Sequence, residues 1–185
     1  MAAAPAPATR LAALAALATI RPPMGLVAEA ERLAAFETDA WIQHREMPMA
    51  VAIPDTEEQV REAIGALARL AVPVVTRGAG TGLSGGATPI AEGIVLAMTR
   101  MRRVVGIDAL ARLATVEPGV PNAQVTVAAE PAGLYFAPDP SSQVISSIGG
   151  NIAENAGGVH CLKYGLTVHN VTGLRAVDGD GDLLE

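Results

Sequence analysis

Lysine, cysteine and aromatic side chains are nearly missing from this chain of 185 residues. Lys163 is the sole lysine and Cys161 the sole cysteine. The aromatics are Phe36, Trp41, Tyr135, Phe136 and Tyr164. One cysteine cannot close an internal disulfide, which excludes a disulfide-stapled scaffold and fits a cytoplasmic setting. The formal net charge is −6, and the nearest thing to a basic patch is Arg100, Arg102 and Arg103. That cluster reads as a solvated turn, so nucleic acid is not an expected partner. No apolar run reaches the ~20 residues that span a bilayer, so no transmembrane segment is expected. His160 and His169 lack ligand spacing with other Cys, His or carboxylate residues, so no metal is expected. What the chain has instead is small residues: 36 Ala, 19 Gly and 13 Pro. Half of it is hydrophobic, which makes it globular with a core thin in large side chains.

Residues 1–25 carry one Arg and then an apolar stretch, a loose imitation of a leader peptide. The reading adopted is a helix over 8–20, capped by Thr9 and ended by Pro22-Pro23, with more helix over 26–41. Residues 1–45 thus form an N-terminal helical segment, and 46–185 form the main domain. Within it, residues 49–54 read as a strand. Residues 56–71 read as a helix capped by Thr56, with Val60, Ile64, Leu67 and Leu70 at helical spacing. Residues 72–76 read as a short buried strand and 93–98 as another. Residues 102–108 and 111–120 read as a pair, and a helix runs from Pro121 to about Glu130. A loop-rich stretch spans 133–165. Residues 170–177 read as a strand, and the DGDG that follows turns it through a type I′ turn into a hairpin arm beginning at Asp182. The order is α+β rather than a regular strand–helix alternation. Half a hairpin at Glu185 suggests a domain that continues beyond the chain.

The densest signal is VVTRGAGTGLSGG, with Gly78, Gly80, Gly82, Gly85 and Gly86 within nine residues. Glycine reaches positive φ without a Cβ clash, and alternating backbone hand turns successive N–H groups toward one anion. Thr76, Thr81 and Ser84 add hydroxyls, and Arg77 adds charge. A pyrophosphate is the natural ligand. The match to GxGxxG at Gly80–Gly85 is formal only. A dinucleotide-binding βαβ unit needs a helix straight after the loop, and Pro89 and Gly93 leave no room for one. No Lys-Ser/Thr follows the glycines, which also excludes a Walker loop.

A second stretch, PDPSSQVISSIGGNIAENAGGVHCLKYGLTVHNV, carries Gly149, Gly150, Gly157 and Gly158 among short polar side chains: Ser141, Ser142, Ser146, Ser147, Asn151 and Asn155. Two separate glycine-rich segments suit a ligand with two ends, such as an extended dinucleotide. His160 and Cys161 are adjacent, and adjacent side chains usually point apart, so Cys161 reads as a packed residue rather than a nucleophile.

Together these two motifs resemble the FAD-binding domain of the vanillyl-alcohol oxidase / p-cresol methylhydroxylase flavoprotein superfamily. Within it, they are most similar to FAD subunits of the glycolate oxidase type and to cytochrome-linked D-lactate dehydrogenases. The resemblance implies that Arg77, Gly78, Ala79, Gly80, Thr81, Gly82, Leu83, Ser84, Gly85 and Gly86 take the FAD pyrophosphate. It places Pro138, Asp139, Ser141, Ser142, Gly149, Gly150, Asn151, Asn155, Gly157 and Gly158 beside the flavin and pyrophosphate. Covalent members often carry a histidine in the first loop; none stands here, so FAD is expected to be non-covalent. The implied reaction oxidises a small 2-hydroxy acid to a 2-oxo acid, with hydride passing from the substrate Cα to the flavin N5. Implied partners are a second FAD-type subunit and an iron–sulfur subunit, which would hold a cytoplasmic protein at the inner membrane. The family's substrate cap, with its basic and carboxylate-binding residues, has no counterpart in these residues, so no catalytic base is named. A stand-alone nucleotide-binding module and a piece without catalysis of its own stay open as alternatives.

Overall fold

A computed structural model describes residues 7–185. The start of the leader-like stretch lies outside the described residues. Two compact units result: one runs to Met98 and takes in Leu174–Glu185, and the other is Thr99–Gly173.

The first unit opens with α1 (Pro7–Ala18). Thr9 sits inside this helix and not at its cap, because Pro7 already starts it, and proline is well suited to a first turn. Arg10 ties α1 down by donating to the carbonyls of Met49 (3.0 Å) and Ala28 (2.6 Å). The expected helix over 26–41 is mostly absent. Gly25–Val27 forms strand β1, followed by the one-turn α2 (Ala30–Leu33) and a 3₁₀ turn at Ala34–Phe36. The reason is tertiary: Leu26 and Val27 find partners in Ala52 and Val51 of β2 (Ala50–Ile53), which overrides weak local preference.

Next comes α3 (Glu57–Arg69), whose Thr56 cap accepts from the Gln59 N–H at 3.2 Å, as its sequence signals. Strands β3 (Val74–Arg77) and β4 (Ile94–Ala97) complete a sheet of order β1-β2-β4-β3. The pairs β2–β4 and β4–β3 are parallel. Central β4 is buried along its whole length, and its IVLA run is the unbroken apolar pattern such a strand needs. Strand β3 is not buried as expected; with β4 on one side only, it is a half-exposed edge. Val27, Leu33, Val51, Val95 and Ala97 form the core, with Phe36, Ile53 and Val75 against it. Full burial of each branched side chain contributes roughly 1.5–3 kcal/mol.

The second unit pairs β5 (Val104–Asp108) with β6 (Leu113–Val116) antiparallel, as the sequence suggests. Helix α4 (Asn122–Ala129) follows Pro121. The stretch 133–165 is not all loop. It holds α5 (Ile148–Glu154), capped by Ser147, and the single-turn α6 (Cys161–Tyr164). Two low-propensity glycines in the first turn of α5 hide it from a propensity reading. Val120, Val125 and Ile148 form this unit's core, backed by Val104, Val116, Phe136 and Ile152.

The last segment returns to the first unit. The strand expected over 170–177 shrinks to β7 (Ala176–Val177), paired with β8 (Leu183–Leu184). Residues 167–170 are a 3₁₀ turn. The connection is a five-residue loop rather than a type I′ turn, closed by Asp178 Oδ1 accepting from the N–H of Asp180 (3.0 Å) and of Asp182 (2.8 Å). Gly181 packs back to back with Gly65 of α3: a Cβ on Gly181 would lie 3.0 Å from the Gly65 nitrogen.

Candidate cofactor-binding site

The first glycine loop leaves the end of β3 and no helix follows it before β4, which bears out rejection of the βαβ reading. Only Gly80 (φ 72°) and Gly85 (φ 77°) take the left-handed conformation, so the alternation of backbone hand is less regular than expected. The donors are nevertheless available. Among the described residues, the N–H groups of Gly78, Ala79, Thr81, Gly82 and Gly86 meet no acceptor within the chain. Five unspent N–H groups on one short loop are the donor set an oxyanion of a phosphate requires. Leu83 and Ser84 are exposed at the tip. Just beyond, the Thr88 hydroxyl is buried with no partner, an orphan that a ligand atom or water would satisfy.

Arg77 does not extend freely into this loop. Its Nη1 donates to the carbonyls of Thr38 (2.8 Å) and Ala87 (3.3 Å), and its guanidinium lies 5.7 Å from the centre of the Phe36 ring. Burial pushes its pKa down, with Asp39 pulling the other way. Asp39, which the sequence does not single out, is 5% exposed and accepts from the N–H of Trp41 (2.9 Å) and of Ala87 (3.2 Å).

The second motif belongs to the other unit. Buried Asn122 organises it: its Nδ2 donates to the Pro138 carbonyl, and its Oδ1 accepts from Asn151 Nδ2, both at 2.9 Å. The Asn151 amide is therefore spent inside the fold. Gly149 and Gly150 lie in the first turn of α5, with the Gly149 N–H held by the Pro118 carbonyl at 2.8 Å. Asn155 is the left-handed C-cap of α5, and its Oδ1 accepts from the Val168 N–H at 3.0 Å. Gly157 packs on Leu166 and Cys161, and Gly158 lies flat on Asp139, where a Cβ would overlap the Asp139 carboxylate. Asp139 Oδ2 meets His160 Nδ1 at 2.5 Å, and that bond holds the carboxyl below its usual range. Ser141 is exposed at the tip, while the Ser142 carbonyl accepts from Ile145 and Ser146, both at 2.8 Å. The Ser146 hydroxyl is buried and without a partner. Asn122 escapes a motif search because its signal, an Asn after a helix-opening Pro, reads only as a helix start.

Near the end of this motif Tyr164 stands edge-on to Tyr135, with ring centroids 6.1 Å apart, and Lys163 Nζ sits 4.8 Å from the Tyr164 ring. The neighbouring Tyr135 hydroxyl, then Lys163, push the Tyr164 pKa down, and Tyr164 in turn pushes that of Tyr135 up. Cys161 is half-buried against Gly157, a packed position as expected. A cavity of about 410 Å³ is lined by α1, α3 and the Asp180–Gly181 turn, with no residue from either glycine motif.

Comparison with known proteins now decides the family. Residues 48–185 match the model of an FAD binding domain. The glycolate oxidase subunit GlcD of Escherichia coli K12 is 47% identical over 175 residues, which is 95% of this chain and 35% of that protein. This chain belongs to the FAD-binding domain family. A D-2-hydroxyglutarate dehydrogenase of Xanthomonas citri pv. viticola is 41% identical over 138 residues, covering 75% of this chain and 29% of that one. A D-lactate dehydrogenase of Archaeoglobus fulgidus is 42% identical over 131 residues, covering 71% and 29%. Among solved structures, an alkyldihydroxyacetonephosphate synthase aligns with a TM-score of 0.81 at 19% identity, over 100% of this chain and 35% of that one. That likeness, with the family match over residues 48–185, bears out the expected FAD-binding domain fold. The chain spans about a third of the length of the relatives it matches.

The residues present fit FAD. The unspent N–H groups of the first loop suit its pyrophosphate, and the buried Thr88 hydroxyl just beyond them has no partner within the chain. No helix among the described residues is long and apolar enough to cross a membrane.

Proposed function

We propose that this chain holds non-covalent FAD for a flavin-dependent 2-hydroxy-acid dehydrogenase of the glycolate oxidase type. The observation that carries the reading is the first glycine loop, whose main-chain donors at Gly78, Ala79, Thr81, Gly82 and Gly86 are unspent. These residues take the FAD pyrophosphate. The loop over 77–86 contains no histidine or cysteine to form a flavin bond, so FAD dissociates. The second motif supplies the flavin-side polar surface through the segment Pro138–Ser142 and the turn at Gly157–Gly158. Asn151 and Asn155 act there through the backbone they fix, because their amides are engaged with Asn122 and Val168.

Bound FAD supplies the two-electron acceptor. Relatives named for glycolate, D-2-hydroxyglutarate and D-lactate share the 2-hydroxy-acid group, which supports that substrate class. The substrate Cα gives up hydride and the hydroxyl gives up a proton, leaving a 2-oxo acid. A base takes this proton, and no residue of either glycine motif is assigned that role. The E. coli relative is named as a subunit, which supports assembly with partner subunits; a second FAD-type subunit and an iron–sulfur subunit are the partners proposed.

The test is titration of the purified, flavin-free protein with FAD, read by flavin fluorescence. Saturable micromolar binding, with the flavin released intact by acid, supports the reading. A folded protein that leaves FAD fluorescence unchanged sinks it. The substrate assignment is tested in the assembled enzyme: anaerobic glycolate, D-lactate or D-2-hydroxyglutarate should bleach the flavin, and failure of all three removes the 2-hydroxy-acid class.

A further inference from the structure

We infer that Arg77 and Asp39 are positioning residues for FAD: they brace the phosphate loop from behind, and neither touches the phosphate. The inference rests on the FAD reading above and adds the segment Phe36–Trp41 to the cofactor site.

Five contacts carry it. The Arg77 guanidinium joins the Thr38 carbonyl to the Ala87 carbonyl, so one side chain spans from the N-terminal segment to the far end of the loop. Asp39 holds that same far end through the Ala87 N–H at 3.2 Å. The Gly80 carbonyl, at the near end, accepts from the Ala40 N–H at 3.0 Å. Gly85 rests on Trp41, where a Cβ would come within 2.8 Å of the ring. Gly80 must be glycine for two reasons: its φ is positive, and a Cβ would overlap the Arg77 guanidinium.

The electrostatics point the same way. A guanidinium whose Nη1 donates to two carbonyls and whose Cζ lies over the Phe36 ring is oriented by the protein, not by an incoming anion. Asp39 beside it is almost wholly buried, so the pair brings little net charge to the loop. Phosphate recognition then falls to the main-chain donors, and Arg77 and Asp39 set where those donors point. Lysine replaces Arg77 poorly, because its ammonium is a strongly hydrated point charge on a flexible stem, with no guanidinium to lie over Phe36.

The experiment is FAD titration of the protein carrying Asp39→Asn, Arg77→Lys or Arg77→Met, at low and at moderate salt, with thermal unfolding run alongside. The two roles of Arg77 predict opposite signs for Asp39→Asn. A bracing pair predicts FAD affinity about tenfold weaker, from loss of a charged acceptor. A guanidinium that binds phosphate and is merely restrained by Asp39 predicts tighter FAD once the counter-charge is gone. Arg77→Lys is expected to bind as weakly as Arg77→Met, with the salt dependence of wild type in both. Tighter binding in Asp39→Asn overturns the inference. So does rescue by Arg77→Lys together with a smaller salt dependence in Arg77→Met. If Asp39→Asn does not fold, the two Arg77 variants decide alone. Wild-type protein that binds no FAD refutes the functional reading instead, so the two failures are distinguishable.

Discussion

Replacing Asn122 by alanine should cost more than replacing Asn151, although Asn151 is the residue the motif singles out. Asn122 is 1% exposed and Asn151 3%. Asn122→Ala strands two groups at once, the buried Pro138 carbonyl and the Asn151 amide nitrogen. Asn151→Ala strands only the Asn122 oxygen. A buried polar group left without a partner costs about 1–3 kcal/mol. The expected losses are therefore about 2–6 kcal/mol for Asn122→Ala and about 1–3 kcal/mol for Asn151→Ala. The double variant should lose less than the sum, with a coupling of about 1 kcal/mol, because the second change removes a group the first had already stranded. Urea unfolding is the assay. Tyr135 and Tyr164 both lie in the Thr99–Gly173 unit and Trp41 in the other, so the near-ultraviolet tyrosine signal reports the unit concerned. With a mid-range urea slope of about 2 kcal/mol per molar, the midpoint shift for Asn122→Ala should be on the order of 1–3 M. Equal losses for the two single variants, or strictly additive losses in the double, would refute the claim that Asn122 is the hub.

Gly149→Ala should destabilise the second unit more than Gly150→Ala, since the new Cβ meets Pro118 at 2.8 Å in the first case and only the Ser147 hydroxyl at 3.2 Å in the second; matching melting temperatures would contradict this. Asp139 has its folded pKa lowered by His160, so its contribution is present above the unfolded carboxyl value near 4 and is lost as pH falls through the lower folded value. Stability measured across that acidic window should fall less steeply in Asp139→Asn, and identical profiles would count against the pair. A tyrosinate absorbance titration should show two separate steps, Tyr164 first and Tyr135 later, with Lys163→Met moving the early step upward; a single merged step would remove the cluster.

Much of the cofactor motif is legible in the sequence because glycine density has a backbone cause that needs no tertiary context. The Thr56-capped helix is legible for a similar reason: cap and apolar spacing are both local. Strand β1 is not, because Leu26 and Val27 become a strand only when β2 offers an edge. Arg77 illustrates a deeper limit on reading charge from sequence. Its position in the loop suggests a phosphate contact, yet its hydrogen bonds are with Thr38 and Ala87, and Thr38 lies 39 residues earlier in the chain. Asn122 is hidden likewise, since its partners Pro138 and Asn151 are 16 and 29 residues away.

The meeting of Gly65 with Gly181 has a consequence for the order in which the protein is made. Helix α3 is synthesised early, but the turn that seats on it follows the entire Thr99–Gly173 unit. At about 5–20 residues per second, roughly 4–15 s of translation separate Met98 from Leu174. During that interval the Gly65 face of α3 stays uncovered on the nascent chain. The inserted unit, contiguous in sequence, is free to fold first, and the discontinuous one is completed only when Leu174–Glu185 has been made.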